Sequence, residues 1–98
     1  MADFRLASRA KAQLIDIYDW TEERFGDYQA EGYYHGFRQT FRLLADFPGI
    51  GLPADEMRQG LRRFRYQSHY IFFTQEADHI MIRAIYHTAQ KLRPQLFR

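Results

Sequence analysis

A chain of 98 residues without cysteine is long enough for one modest core, here taken as a single domain over residues 1–98, and excludes disulfides and thiolate metal sites. Composition is globular, 46% hydrophobic and 17% aromatic, with no run near the roughly 20 apolar residues that span a bilayer. The net charge of +2 comes from an uneven spread: residues 1–49 hold eight acidic against six basic groups, and residues 50–98 hold four against eight. Only Lys11 and Lys91 among the fourteen basic residues are lysines. Arginine favours planar, bidentate contacts with carboxylate or phosphate, which suits an acidic protein partner as well as nucleic acid. The opening MADFRLASRAKAQ carries charges and no apolar h-region, so the chain is expected to be cytoplasmic, without membrane contact.

In chain order, Asp3–Ala7 alternates and predicts a short strand. Ser8 stands where an N-cap would, ahead of the helix formers of RAKAQLIDIYDWTEERFG. At 100° per residue, Leu14, Ile17, Tyr18, Thr21 and Phe25 share one face, and Ile15 and Trp20 lie off it. Gly26 closes this helix. Asp27 then opens a second, whose apolar stripe is Ala30, Tyr33, Tyr34, Phe37, Phe41, Leu44 and Ala45 and which Pro48-Gly49 ends. The joint is so short that the two helices must fold back as an antiparallel hairpin. Gly32 and Gly36, one turn apart, suggest close approach of the neighbouring helix.

Ile50–Gln59 is a connection. Gly60–His87 then reads as three strands, Leu61–Tyr66, His69–Gln75 and His79–His87, with short polar joints at Gln67-Ser68 and Glu76-Ala77-Asp78. The middle strand is apolar at successive positions, so both its faces are expected to be covered. The first alternates Phe64 and Tyr66 against Arg63 and Arg65. The tail after His87 is polar and basic, and too short to be expected in the core. The fold class is α+β in the order β-α-α-β-β-β, with an N-terminal helical hairpin packed on an antiparallel sheet whose last three strands form a meander.

This order, with Ala10–Ile17, Arg24-Phe25-Gly26, Leu44–Gly51, Asp55–Arg62, His69–Phe73 and Ile82–His87 at their spacings, resembles the ParE toxins of the RelE/ParE toxin–antitoxin superfamily over nearly the whole chain. The resemblance implies a bacterial toxin neutralised by a ParD-type antitoxin and directed at DNA gyrase, whereas RelE relatives cut mRNA on the ribosome. It implies neither a cofactor nor sequence recognition of DNA by the toxin alone.

The residues offer two kinds of site. Cleaving RNA needs a base, an acid and cations for the phosphate. Arg62, Arg83 and His87 are the candidates, with Arg83, Ile85 and His87 alternating onto one strand face; the bland alternative is an ordinary histidine ending a strand. A protein-binding toxin needs surface aromatics and charge instead. Trp20, Tyr28 and one of Tyr70 or Phe72 are left over by the periodicity, and Arg58, Arg63 and Arg65 decorate the first strand of the meander; these are the candidate antitoxin contacts. Lys91, Arg93, Leu96, Phe97 and Arg98 in the tail are the candidate target contacts. Asp55-Glu56 alone, and His35, His69 and His79 without ligand spacing, indicate no metal site.

Overall fold

The structure, a computed structural model, describes residues 3–98, so Met1 and Ala2 lie outside the described part of the expected domain. The elements are β1 (Phe4–Leu6), a helical element α1 (Ser8–Asp46), β2 (Leu52–Pro53), β3 (Leu61–Tyr66), β4 (His69–Gln75) and β5 (Ile80–His87). They form one sheet in the order β1-β5-β4-β3-β2. The meander β3-β4-β5 is antiparallel as expected, and β1 adds to β5 in parallel.

Gly26 breaks α1 into two arms, 8–25 and 27–46. Its φ of 87° and ψ of 174° belong to no helix and suit glycine, which has no Cβ to clash. The arms fold back on each other: Tyr18 donates a 2.8 Å hydrogen bond to Glu31, thirteen residues on, where a continuous helix would separate them by roughly 20 Å. Ser8 does not cap the first arm. Ala7 takes the N-cap position with extended backbone while its amide still bonds the Ile82 carbonyl, so the strand ladder runs straight into the helix start. Gly32 has open space around it. Gly36 is the close approach, but to β3: a Cβ there would lie 1.8 Å from the Tyr66 hydroxyl oxygen.

The sheet is covered on both faces. Against the helices pack Ile71, Phe73, Ile80, Ile82 and Ile85, meeting Leu14, Phe37, Phe41 and Leu44. On the opposite face Phe72, Ala84, Tyr86 and Leu61 meet Ala54 and, from the tail, Phe97, with Leu92 and Leu96 beside it. The tail therefore does enter the core. A 3-10 turn at Pro94–Phe97 folds the Phe97 ring to 4.7 Å from Phe72 and 5.6 Å from Tyr86, leaving it only 5% exposed. A polar average over eleven residues conceals one aromatic that the open sheet face requires.

Two details redirect side chains. The register between β4 and β5 shifts at Phe72/Phe73, where Ala84 and Ile82 are the successive partners and Arg83 is the extra residue. And β1 stops at Leu6, leaving the Ile85 amide beyond its reach; Gln13 Oε1, from α1, accepts that hydrogen bond at 2.7 Å.

Candidate functional site

A concavity of about 590 Å³ lies where the first helical arm passes the β3–β4 turn and the end of β5. Ile17, Trp20, Thr21 and Phe25 form one wall; Gln29 and Tyr33 come from the second arm; Gln67, Ser68, His69 and His87 close it from the sheet. The break at Gly26 creates this groove. The first arm ends beyond the sheet, so Phe25, expected on the buried stripe, instead stands 59% exposed with its ring 6.1 Å from Trp20. Trp20 itself is 53% exposed, with the Arg24 guanidinium 4.7 Å over its ring. Tyr28, just past the break, is 92% exposed. A cluster of open aromatics at a helix tip is expensive to leave in water, which makes it the candidate interaction surface.

The groove floor is an aromatic–imidazole network. The Tyr33 hydroxyl lies 2.7 Å from His69 Nδ1, Tyr33 stacks on Tyr66, and the His69 and His87 rings meet edge-on at 5.2 Å. Burial, reinforced by the neighbouring His87, pulls the His69 imidazole down to about 4, so it is neutral at physiological pH and shares a hydrogen bond with the Tyr33 hydroxyl. Burial likewise raises the Tyr33 phenol. Elsewhere between the two arms, the hydrogen bond from Tyr18 to Glu31 holds the Tyr18 phenol up at about 12, and Glu22 is raised by its hydrogen bond to Asp27. Asp16 is the charged group of the groove, and no arginine or lysine lines it.

The residues expected to act on RNA do not converge. Arg62 faces the helices, and its Nε and Nη2 donate to the Gly51 carbonyl at 3.1 and 2.8 Å. Arg83 is the bulge residue, so its alternation with Ile85 and His87 is broken: it bonds Thr74 at 3.0 Å and Glu76 at 3.4 Å, on the sheet face opposite His87. His87 sits opposite His69, four positions along β4 from Phe73, the partner of Arg62, which is roughly 13 Å. Its Nδ1 accepts the Ala89 amide at 3.0 Å.

Of the expected protein-binding residues, Trp20 and Tyr28 are exposed as the periodicity implied. Phe72 is not available: it is fully buried beneath the tail, because the second sheet face is covered too. Tyr70 stays at the margin of that face with the Arg63 guanidinium 5.2 Å over its ring. Arg65 donates from Nε to the Gln67 carbonyl at 2.9 Å. Neither of the two ion pairs among the described residues, His79–Asp78 and Arg83–Glu76, involves Arg58, Arg63 or Arg65. Asp55, close to Arg58 in sequence, accepts the Gly60 amide at 2.9 Å. In the tail, Lys91, Arg93 and Arg98 are exposed, Leu96 is half-buried, and Phe97 belongs to the core. Sequence reasoning missed Phe25, Tyr33 and His69 as groove residues. Phe25 next to the Gly26 break was the available signal, since a stripe cannot stay buried where its helix leaves the sheet. Among the described residues no cluster of metal-ligating side chains occurs, and no helix is long and apolar enough to cross a membrane.

The chain is similar to named proteins over most of its length. It is 40% identical over 73 residues to Toxin ParE1 of Caulobacter vibrioides, covering 74% of this chain and 76% of that one. It is 36% identical over 70 residues to Toxin ParE1 of Mycobacterium tuberculosis, covering 71% of each. A solved structure titled "Chromosomal ParDE TA system from P. aeruginosa" shares the fold with a TM-score of 0.74 at 19% identity, covering 89% of this chain and 96% of that one. The family profile described as "ParE toxin of type II toxin-antitoxin system, parDE" matches residues 4–92, and the chain belongs to this family of toxins.

Proposed function

We propose that this toxin acts by protein binding, inhibiting DNA gyrase in the cytoplasm, and is neutralised by a ParD-type antitoxin that buries the groove at the Gly26 break. The observation that carries this reading is the groove itself: exposed Trp20 and Phe25 over a mostly aromatic floor, next to an almost wholly exposed Tyr28, with no arginine or lysine among its described lining residues. An apolar antitoxin helix laid between the first arm and the β3–β4 turn would cover these rings, and the arginines beside Tyr70 would meet its acidic side chains. RNA cleavage has less support. A phosphodiester needs cations at the reacting phosphate, and the histidines of the groove are accompanied by Asp16, whereas Arg62 and Arg83 are engaged elsewhere.

The tail's part in target binding falls to its exposed charges. Phe97 anchors the strap, and Lys91, Arg93 and Arg98 are left to face gyrase. Truncation would be a poor test because it uncovers Phe72 and Tyr86. Supercoiling by purified gyrase, run beside a ribosomal translation assay, tests the reading directly. The expected result is loss of supercoiling with accumulation of broken DNA and intact mRNA, weakened at least tenfold by K91E/R93E/R98E. Site-specific mRNA cuts with normal supercoiling would reverse it.

A further inference from the structure

The second helical arm carries a cationic stripe far from the aromatic groove. His35, Arg38, Gln39 and Arg42 recur at i, i+3, i+4 and i+7, so they share one face of the arm, and all four are exposed. Beneath them lies Phe4 of β1. Its ring packs 5.5 Å from Phe41 and holds both guanidiniums, with Arg38 at 5.0 Å and Arg42 at 5.7 Å from the centroid. A cation over a ring face is positioned without spending its N–H groups on a carboxylate. Neither arginine belongs to either of the two ion pairs among the described residues, although Asp46 stands one turn beyond Arg42. The stripe lines a concavity of about 530 Å³, which Tyr34 and Leu43 also border.

Charge is segregated along the hairpin. Six exposed carboxylates, Asp16, Asp19, Glu22, Glu23, Asp27 and Glu31, crowd the end that carries Gly26. From Tyr33 to Ala45 the second arm has no acid at all. Arg42 lies sixteen residues beyond Gly26, about 24 Å along the arm. The acidic end repels an anionic partner and the far end attracts it, so the field orients its approach. The tail reaches that same far end, because Arg9, in the first turn of the first arm, hydrogen-bonds the Leu96 carbonyl.

The spacing selects the occupant. Arg38 and Arg42 are four residues apart, a rise of about 6 Å. Each strand of a duplex presents a phosphate every ~3.4 Å of axis, so two such cations find phosphates whatever the base sequence. Arginine, glutamine and tyrosine all serve as phosphate and sugar contacts. A folded protein partner would need a broader apolar centre than Tyr34 and Leu43 supply.

Resting on the gyrase reading, we infer that this groove docks the sugar–phosphate backbone of the DNA duplex held by gyrase. Arg38 and Arg42 take neighbouring phosphates of one strand, and Gln39 and Tyr34 meet adjoining phosphate or sugar oxygens. The contact reads no sequence. It sets DNA beside the tail charges that face the gyrase protein.

The test measures binding of wild-type toxin and R38Q/R42Q to gyrase alone, to gyrase with a bound duplex, and to bare duplex, across a salt series. With unchanged circular dichroism, R38Q/R42Q should bind gyrase alone as wild type does and bind gyrase–DNA about tenfold more weakly. Its log–log salt slope on gyrase–DNA should be smaller by about 2, one counterion for each lost phosphate contact. R38K/R42K should restore the slope and only part of the affinity, since lysine keeps the charge without the planar fork. An equal loss on gyrase alone would assign the groove to protein and overturn the proposal. So would unchanged binding throughout, or loss of the antitoxin complex read by fluorescence of the single tryptophan, Trp20. Arginine-dependent self-association of the free toxin without DNA binding would assign the groove to the acidic end of a second copy. A wild-type toxin that ignores gyrase but binds bare duplex through these arginines would sink the gyrase reading and leave the groove standing. One that binds neither would overturn both.

Discussion

The two faces of the sheet are closed in different ways. The helical face is covered by two packed arms, whose fully buried Phe37, Phe41 and Leu44 interlock with Ile71, Phe73, Ile80, Ile82 and Ile85 of β4 and β5. The opposite face is covered by the short stretch around Ala54 and by a strap whose one fully inserted ring is Phe97. A strap held by a short 3-10 turn and one buried ring can lift locally, whereas two long helical arms packed along the sheet open only with the whole fold. The helical face therefore carries global stability, and the tail face is a separable cover.

The sharpest way to break that comparison is to empty each face in turn. Phe37→Ala should cost about 3–5 kcal/mol in denaturant unfolding, through lost transfer energy and the cavity left behind. Phe97→Ala should cost less, about 2–3 kcal/mol, and should raise binding of a hydrophobic dye under native conditions as Phe72 and Tyr86 are uncovered. Equal costs without dye binding would mean that the tail is as integral as the helices.

The glycines of the second arm sharpen the point within one helix. Gly36→Ala drives a methyl into the Tyr66 ring and should destabilise by about 1–3 kcal/mol. Gly32→Ala meets nothing and should stabilise by up to about 1 kcal/mol, since alanine is the better helix former. Thermal unfolding of the two variants should move in opposite directions.

The pH dependence reports the helical face alone. His69 is neutral in the fold down to about pH 4, but the unfolded chain protonates it near its ordinary 6.5. Between these values the unfolded state binds more protons, so stability is full above about pH 6.5 and falls as pH drops towards 4. Solvent still reaches part of the ring, so the loss should be on the order of 1–2 kcal/mol. His69→Gln should remove most of this slope; an unchanged slope would place the titration elsewhere.

Much of the architecture was legible because local rules and the global fold agree. Pro48-Gly49 stopped the second arm, and the continuous apolar run Tyr70–Phe73 announced a strand covered on both faces. Trp20 and Tyr28 fell off the stripes and are exposed. The candidate site was read less well, because burial at its margins depends on where elements end: Phe25 is apolar and correctly spaced, yet its helix has left the sheet.

What the sequence determined by itself is whatever a residue's own backbone preference or a two- or 3.6-residue period can encode: a left-handed break at Gly26, two amphipathic arms, a three-stranded meander and its joints. Only the tertiary structure decided how those parts meet. The bulge that turns Arg83 away from His87 belongs to a pair of strands, and neither strand encodes it alone. The burial of Phe97 depends on an open face some ten residues earlier in β5 and further back in β4, and the placing of Arg38 and Arg42 over one ring depends on Phe4 of β1 lying beneath the second arm. These are contacts between residues distant in the chain, where no periodicity carries information, and they decide which charges and rings remain available for a partner.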